Sequence, residues 1–374
     1  MGVKIVSVKE FAKKVMNHES LFIVDARNQN DFEDWKIEGK NAEVINLPYS
    51  EVKENIGQYV HKLPKDRRIY TVCAKGNSSK MMAELLEQAG CEDVYSIEGG
   101  MRAWSEHLEP VKIGDLNSGG AIYQIIRLGK GCLSYLISSN GVGAIIDSNR
   151  MIDTYERLTK EYNISIKYVL DTHLHADHIS GGRKLAGKLG ATYYLPSKDA
   201  REAEFKFVSI EDGNEIKIGN TVIQALYSPG HTIGSTSFII DNQYLLTGDI
   251  LFIDSIGRPD LAGKAADWVT DLRQTLYKRY RELADELIVL PAHFMGIDEM
   301  NNDGIISERL GVLYQENHGL NIQSDEEFSK AVTENLPPQP HSYEEIRQTN
   351  LGKIAPEEDQ EKEMEIGPNR CAIR

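Results

Sequence analysis

Residues 171–178 read DTHLHADH, so His173, His175, Asp177 and His178 place four groups able to hold a metal within six residues. Transition ions take imidazole and carboxylate ligands from rigid element ends, and packing alone seldom gathers four such groups so closely. The apolar run before them, residues 166–170, predicts a strand ending in a loop, from which His173 and His175, two positions apart, project to the same side. Asp177 and His178 then fall where a helix can start. Further groups follow other strand-like segments, beside small or turn-forming residues: His231 in SPGHT, Asp249 in TGDILF, Arg258 with Asp260 in GRPDL, and His293 in PAHF. Strand ends present ligands without leaving unpaired polar groups in a core. Singly, each histidine reads equally well as a satisfied structural residue; together they describe a metal centre.

A second chemistry is suggested by Cys73. The run RIYTV at residues 68–72 predicts a strand that delivers this cysteine to the loop Ala74, Lys75, Gly76, Asn77, Ser78, Ser79. A helix over residues 79–90 follows, with Met81, Met82, Leu85, Leu86 and Ala89 at helical spacing and a glycine stop. Loop amides and a helix dipole stabilise a thiolate at that place, which makes the sulfur a better nucleophile at neutral pH. Cys91 and Cys132 read as core cysteines, and Cys371 as incidental.

Positioning these groups takes two domains. A chain of 374 residues exceeds one ordinary domain. The first third alternates short buried strands (residues 21–25, 68–72, 94–97) with helices, a small α/β domain assigned to 1–110. A polar, turn-rich linker is expected at 111–120. Residues 121–374 then read as strand runs with a tight hairpin at Asn140-Gly141, flanking helices over 151–162 and 182–189, and one over 264–281 with Trp268, Leu272, Leu276 and Tyr280 on one stripe. Two packed sheets covered by helices, an αββα sandwich, are the expectation. The acidic segment after Gly352 reads as solvated.

Composition excludes other classes. With 41% hydrophobic and 26% charged residues and no long apolar run, the chain has no membrane span to offer. Its start lacks the pattern of a signal peptide, and four irregularly spaced cysteines suit a reducing compartment, so a cytoplasmic location is expected. A formal net charge of -15 with no basic cluster argues against nucleic acid.

The VDAR strand, the Cys73-x-x-Gly76-x-x-Ser79 loop and EGGMRAW at residues 98–104 together resemble a rhodanese, or sulfurtransferase, domain. The resemblance implies that Cys73 carries a persulfide; Ser78 stands where the family often has arginine. From Gly120 on, HLHADH followed by His231, Asp249 and His293 resembles the metallo-β-lactamase superfamily. Within it DTHLHADHISG, SPGHT, TGDILF, GRPDL and NLPPQPHSYEEI are most similar to persulfide dioxygenases, including those fused to rhodanese domains. Glyoxalase II is similar one step further away, and Phe294 replaces the aspartate usual there after the last histidine.

Two metal arrangements follow from this likeness. The dioxygenase pattern implies Fe(II), one per chain, on His173, His231 and Asp249, with His175, Asp177, His178 and His293 around them. The hydrolase pattern implies Zn(II), two per chain, with His173, His175 and His231 on one ion, Asp177, His178 and His293 on the other, and Asp249 bridging. The first implies a low-molecular-weight thiol persulfide, such as glutathione persulfide, oxidised by dioxygen to sulfite, with Arg258 anchoring a substrate carboxylate or pairing with Asp260. The alternatives are a thioester hydrolase, or a persulfide-binding module without turnover attached to a metallo-hydrolase; a homo-oligomer is compatible with either.

Overall fold

The computed structural model describes residues 3–259, 265–334, 336, 339 and 341–373. Asp260, the expected helix start at Lys264, and part of NLPPQPHSYEEI lie outside the described residues.

The apolar run LFIVD forms the strand Leu21–Asp25, buried along its whole length, as a central parallel strand covered on both faces must be. It lies in a five-stranded parallel sheet in the order Lys4–Val6, Val94–Ile97, Ile69–Val72, Leu21–Asp25, Ala42–Asn46. The buried Asp25 that ends this strand is held by Arg27, whose Nη2 donates to Oδ2 at 2.7 Å, so the charges of VDAR neutralise each other inside the domain. The helix after Cys73 spans Asn77–Gln88 and begins earlier than the spacing predicted. This turns Ser79, Met82, Ala83 and Leu86 inward and leaves Met81 exposed.

The rest is an αββα sandwich, as the resemblance implied. One sheet runs Val208–Ile210, Thr192–Pro196, Ser165–Leu170, Val142–Ile146, Cys132–Ser139, Ala121–Arg127, Glu109–Asp115. The other runs Glu215–Ile218, Thr221–Tyr227, Thr236–Ile240, Tyr244–Gly248, Ile288–Pro291, Glu308–Arg309. Their facing side chains, among them Ile122, Ile126, Leu133 and Ile137 against Ile216, Ile223, Phe238 and Leu246, form one core. Helices Ile152–Glu161 and Gly182–Leu189 cover the outer face of the first sheet, and Ala265–Gln274, Leu310–Glu316 and Asp325–Thr333 that of the second. Asn140 and Gly141 both have positive φ, the geometry a two-residue hairpin demands. No helix among the described residues is long and apolar enough to cross a membrane.

Two expectations need correction. The first half of the linker expected at 111–120 belongs to an edge strand: Glu109–Asp115 pairs antiparallel with Ala121–Arg127, because a half-buried edge tolerates the polar residues that looked like a linker. The acidic segment after Gly352 is not simply solvated. It forms the helix Glu358–Met364 and then passes inward, burying Glu365 and Cys371. Its charge is neutralised by Arg127 and Arg150 inside the molecule.

The two domains share a core. Phe11 and Trp104 of the first belong to the same apolar cluster as Phe294 and Ile297 of the second. The backbones meet at Gly129, where a Cβ would lie 2.5 Å from the Trp104 carbonyl oxygen.

Candidate metal centre and thiol loop

Strands Ser165–Leu170, Thr221–Tyr227, Tyr244–Gly248 and Ile288–Pro291 are each followed by a residue of the centre: His173, His231, Asp249 and His293. Carboxyl ends of strands thus supply the site, and Cys132 joins them from the amino end of the antiparallel strand Cys132–Ser139. An isolated antiparallel bridge pairs Cys132 with His293.

His173, His231 and Asp249 form one cluster with ligand atoms within 4.8 Å of one another, all buried. His231 Nδ1 lies 2.9 Å from the carbonyl oxygen of Arg258. A carbonyl only accepts, so Nδ1 carries the proton and Nε2 keeps its lone pair. His173 is fixed the same way: Nδ1 lies 2.9 Å from Thr172 Oγ1, whose own hydrogen is within reach of both oxygens of Asp147 (3.1 and 3.0 Å). Both free Nε2 atoms face Asp249 Oδ2, at 3.6 Å from His173 and 3.4 Å from His231. That oxygen has no hydrogen-bond partner, while Oδ1 is taken by His293 Nδ1 at 2.6 Å. Burial lowers the basicity of both imidazoles, His173 strongly, and keeps them neutral. Burial alone would push the Asp249 carboxyl up, but His293 and His173 outweigh it and hold it well below the carboxylate range. Two neutral imidazoles facing a buried, unsatisfied carboxylate oxygen fit a divalent transition-metal cation.

The remaining groups fall into separate clusters. His175 turns its Nε2 to Asp147 at 3.1 Å and groups with Asp147 and Asp171. Asp147 takes His175 Nε2 and leaves its Nδ1 without a partner, so this contact is compatible with either metal arrangement. Asp177, His178, His293 and Cys132 form a fourfold cluster. Burial opposes charge on His178, yet Asp177 raises it to about 10; burial likewise opposes charge on His293, and Asp249 and Asp177 raise it well above the usual imidazole range. The Cys132 thiol, pushed up by burial, is brought down to about 6 by His178 and His293. Protons there stand in for the charge of a cation. Cys371 is likewise not incidental: it is 1% exposed and lies within ligand distance of Asp249 and His293.

Arg258 is buried. Its guanidinium donates to the Arg370 carbonyl at 3.0 Å, and its backbone orients His231. Sequence reasoning missed Asp147, Cys132, Cys371 and Glu365. Only Asp147, at the end of a strand, carried the same signal as the groups it found.

In the first domain, Cys73 follows Ile69–Val72 at 5% exposure. The Gly76 amide donates to Sγ at 3.2 Å, and Ser79 Oγ lies 3.4 Å from it. The carbonyl of Cys73 accepts from Met101 N at 2.8 Å, and a Cβ on Gly100 would stand 2.1 Å from that oxygen, so EGGMRAW closes tightly over the loop. Ala74, Lys75 and Asn77 are exposed and Ser78 half-buried, so the loop opens to solvent.

Fold and site thus define a metal-binding αββα sandwich preceded by an α/β domain that presents a thiol. Residues 7–107 match the rhodanese-like domain and residues 128–295 the metallo-beta-lactamase superfamily, and the chain carries the two domains in that order. It is 28% identical over 189 residues to the human mitochondrial persulfide dioxygenase ETHE1 (48% of this chain, 72% of that protein). The Bos taurus counterpart is 26% identical over 215 residues (54% and 82%). A probable polyketide biosynthesis zinc-dependent hydrolase, PksB of Bacillus subtilis, is 27% identical over 192 residues (50% and 80%). Among solved structures, ETHE1 from Myxococcus xanthus superimposes with a TM-score of 0.55 at 24% identity, covering 62% of this chain and 99% of that one. A metallo-beta-lactamase from Staphylococcus aureus gives 0.54 at 24% (66% and 72%). At that identity the structures speak for the fold.

Proposed function

We propose that the second domain is a persulfide dioxygenase with ferrous iron on His173, His231 and Asp249, and that the first is a sulfurtransferase acting through Cys73. The observation that carries this reading is the division of labour at Asp249: Oδ2 faces two neutral Nε2 atoms, and Oδ1 is occupied by His293. A carboxylate so engaged suits one ion and is poorly placed to bridge two. The likeness to ETHE1 proteins supports the reaction, and the fused thiol domain fits a sulfur substrate better than a thioester. Three protein ligands on one face would leave iron positions for a persulfide sulfur and dioxygen together. Around it, Thr172 and the Arg258 carbonyl hold the imidazole tautomers, and the buried walls exclude water. In the net reaction a thiol persulfide, dioxygen and one water give the thiol, sulfite and two protons. Cys73 exchanges sulfane sulfur with the same thiol pool, its sulfur held by the Gly76 amide and Ser79. We place the protein in the cytoplasm.

The test is anaerobic reconstitution with ferrous iron followed by oxygen uptake with glutathione persulfide. Stoichiometric uptake with sulfite formation is expected. Hydrolysis of a glutathione thioester without oxygen uptake would overturn the reading in favour of a dinuclear hydrolase.

A further inference from the structure

A cavity of about 680 Å³, the size of a small-molecule site, opens beside the helix Asp325–Thr333 and includes none of His173, His231 and Asp249. Its walls are apolar: Ile256, Ile322 and Ile373 are buried and Ala331 half-buried. Among them stands one buried carboxylate, Glu299, 8% exposed. Its Oε1 accepts from the Met295 and Gly296 amides at 2.5 and 3.2 Å, whereas Oε2 is buried and makes no hydrogen bond. Ser255, another lining residue, keeps its Oγ buried and equally without a partner. Burial pushes the Glu299 carboxyl up to about 7 against the pull of the Met295 amide, and Asp254 adds to the rise. A carboxylate oxygen taken out of water and left without a donor is costly to keep. The carboxylates of Asp254, Asp298 and Glu334 line the cavity from its exposed side, and Lys330 beside them is engaged by Glu326 at 3.2 Å.

We infer that this cavity binds a small amphipathic organic cation, a primary ammonium on an apolar body, with Glu299 Oε2 as its counter-charge and the body lying against Ile256, Ile322 and Ile373. An ammonium carries three donors and no acceptor, and its hydrogen bond to a carboxylate is stronger than one between neutral groups. An alcohol would bring a single donor and no counter-charge. A carboxylate ligand would meet like charge from Glu299, Asp254, Asp298 and Glu334. The apolar walls ask for a body that covers them, which sets the ligand apart from an inorganic cation. The site is separate from the persulfide chemistry proposed above and does not rest on it.

Calorimetric titration of the full chain in neutral solution with hexylammonium, methylammonium, hexanol and hexanoate tests it. Hexylammonium is expected to bind saturably, and at least about tenfold more tightly than the other three, which lack its body, its charge or the sign of that charge. Glu299→Gln, which keeps the contacts to the amides and removes the charge, is expected to bind hexylammonium no better than hexanol. Ala331→Trp, which fills the cavity from a half-buried helix position, is expected to bind neither. A wild-type chain that takes up no hexylammonium saturably overturns the site, whether or not the variants fold. So does methylammonium binding as tightly, the mark of mere attraction to an acidic surface. Hexylammonium binding that survives unchanged in folded Glu299→Gln or folded Ala331→Trp overturns it as well.

Discussion

Thr172 shows how a single hydroxyl decides what a histidine can do. It accepts from His173 Nδ1 and gives its own proton to Asp147, so His173 Nε2 is left as a ligand. Partners of this kind cost about 10–100-fold in metal affinity when removed. Thr172→Val, which keeps the shape and deletes the hydroxyl, is expected to weaken ferrous binding by at least about tenfold, read by chelator competition; unchanged affinity would show that the relay is ornamental. His231 offers no such handle, because a backbone carbonyl holds it. At Cys73, serine substitution is expected to abolish sulfane-sulfur transfer to a thiol acceptor while oxygen uptake persists. Much of this was legible in the sequence, because His231, Asp249 and His293 follow strands beside small residues. Cys132 was not: within an apolar strand it looks like any core cysteine, and what distinguishes it is a bridge to His293, far away in the chain. Such pairings are tertiary facts.

Elements were read well where a period repeated and poorly where charge was taken for exposure. The alternating runs of both sheets declared themselves, whereas the polar residues of Glu109–Asp115 hid an edge strand and the acidic tail hid a strap. Glu365 is the centre of that strap. Its Oε2 accepts from Arg127 at 2.9 Å and Arg150 at 2.6 Å, and its Oε1 from the Ile179 amide at 2.6 Å, next to His178. Burial would raise this carboxyl from 4.5, but Arg127 and Arg150 bring it down to about 2. The folded-state value is depressed, so the contribution to stability is complete above about pH 4.5 and is lost as the pH falls through 2, amounting to about 3 kcal/mol. Glu365→Gln leaves the Arg127 guanidinium buried without its counter-charge and Arg150 with Glu106 alone, and is expected to cost about 3–5 kcal/mol at pH 7 in urea unfolding. Its stability should also fall less steeply than wild type between pH 4.5 and 2. Parallel acid profiles for the two proteins would contradict the role given to this carboxylate.

At the scale of the molecule, the same strap joins the domains. The helix Gly100–Glu106 covers the Cys73 loop at one end, through Met101 and Arg102 amides. At the other its Ser105 carbonyl accepts from Arg127 Nε at 2.6 Å, and Glu106 pairs with Arg150. Arg102 also reaches Asp359 of the tail. Seven helical residues span roughly 10 Å, so this helix links the Cys73 loop at one end to the Arg127 and Arg150 cluster at the other. The cavity between the domains, about 310 Å³ and lined by Trp35, Glu38, Trp104, Lys130, Phe294 and Ile297 among others, includes neither Cys73 nor His173, His231 and Asp249. On the proposed reading Cys73 exchanges sulfur with the soluble thiol pool, which makes a diffusible thiol persulfide the expected carrier between the two centres. The two proposed activities are then expected not to need one molecule. A mixture of Cys73→Ser and Asp249→Asn chains, supplied with glutathione persulfide and oxygen, should form thiosulfate from sulfite and sulfane sulfur, releasing glutathione, at a rate that rises with the persulfide supplied and approaches that of wild type. A mixture that makes sulfite but no thiosulfate, while wild type makes both, would mean that the sulfur is handed over within one chain.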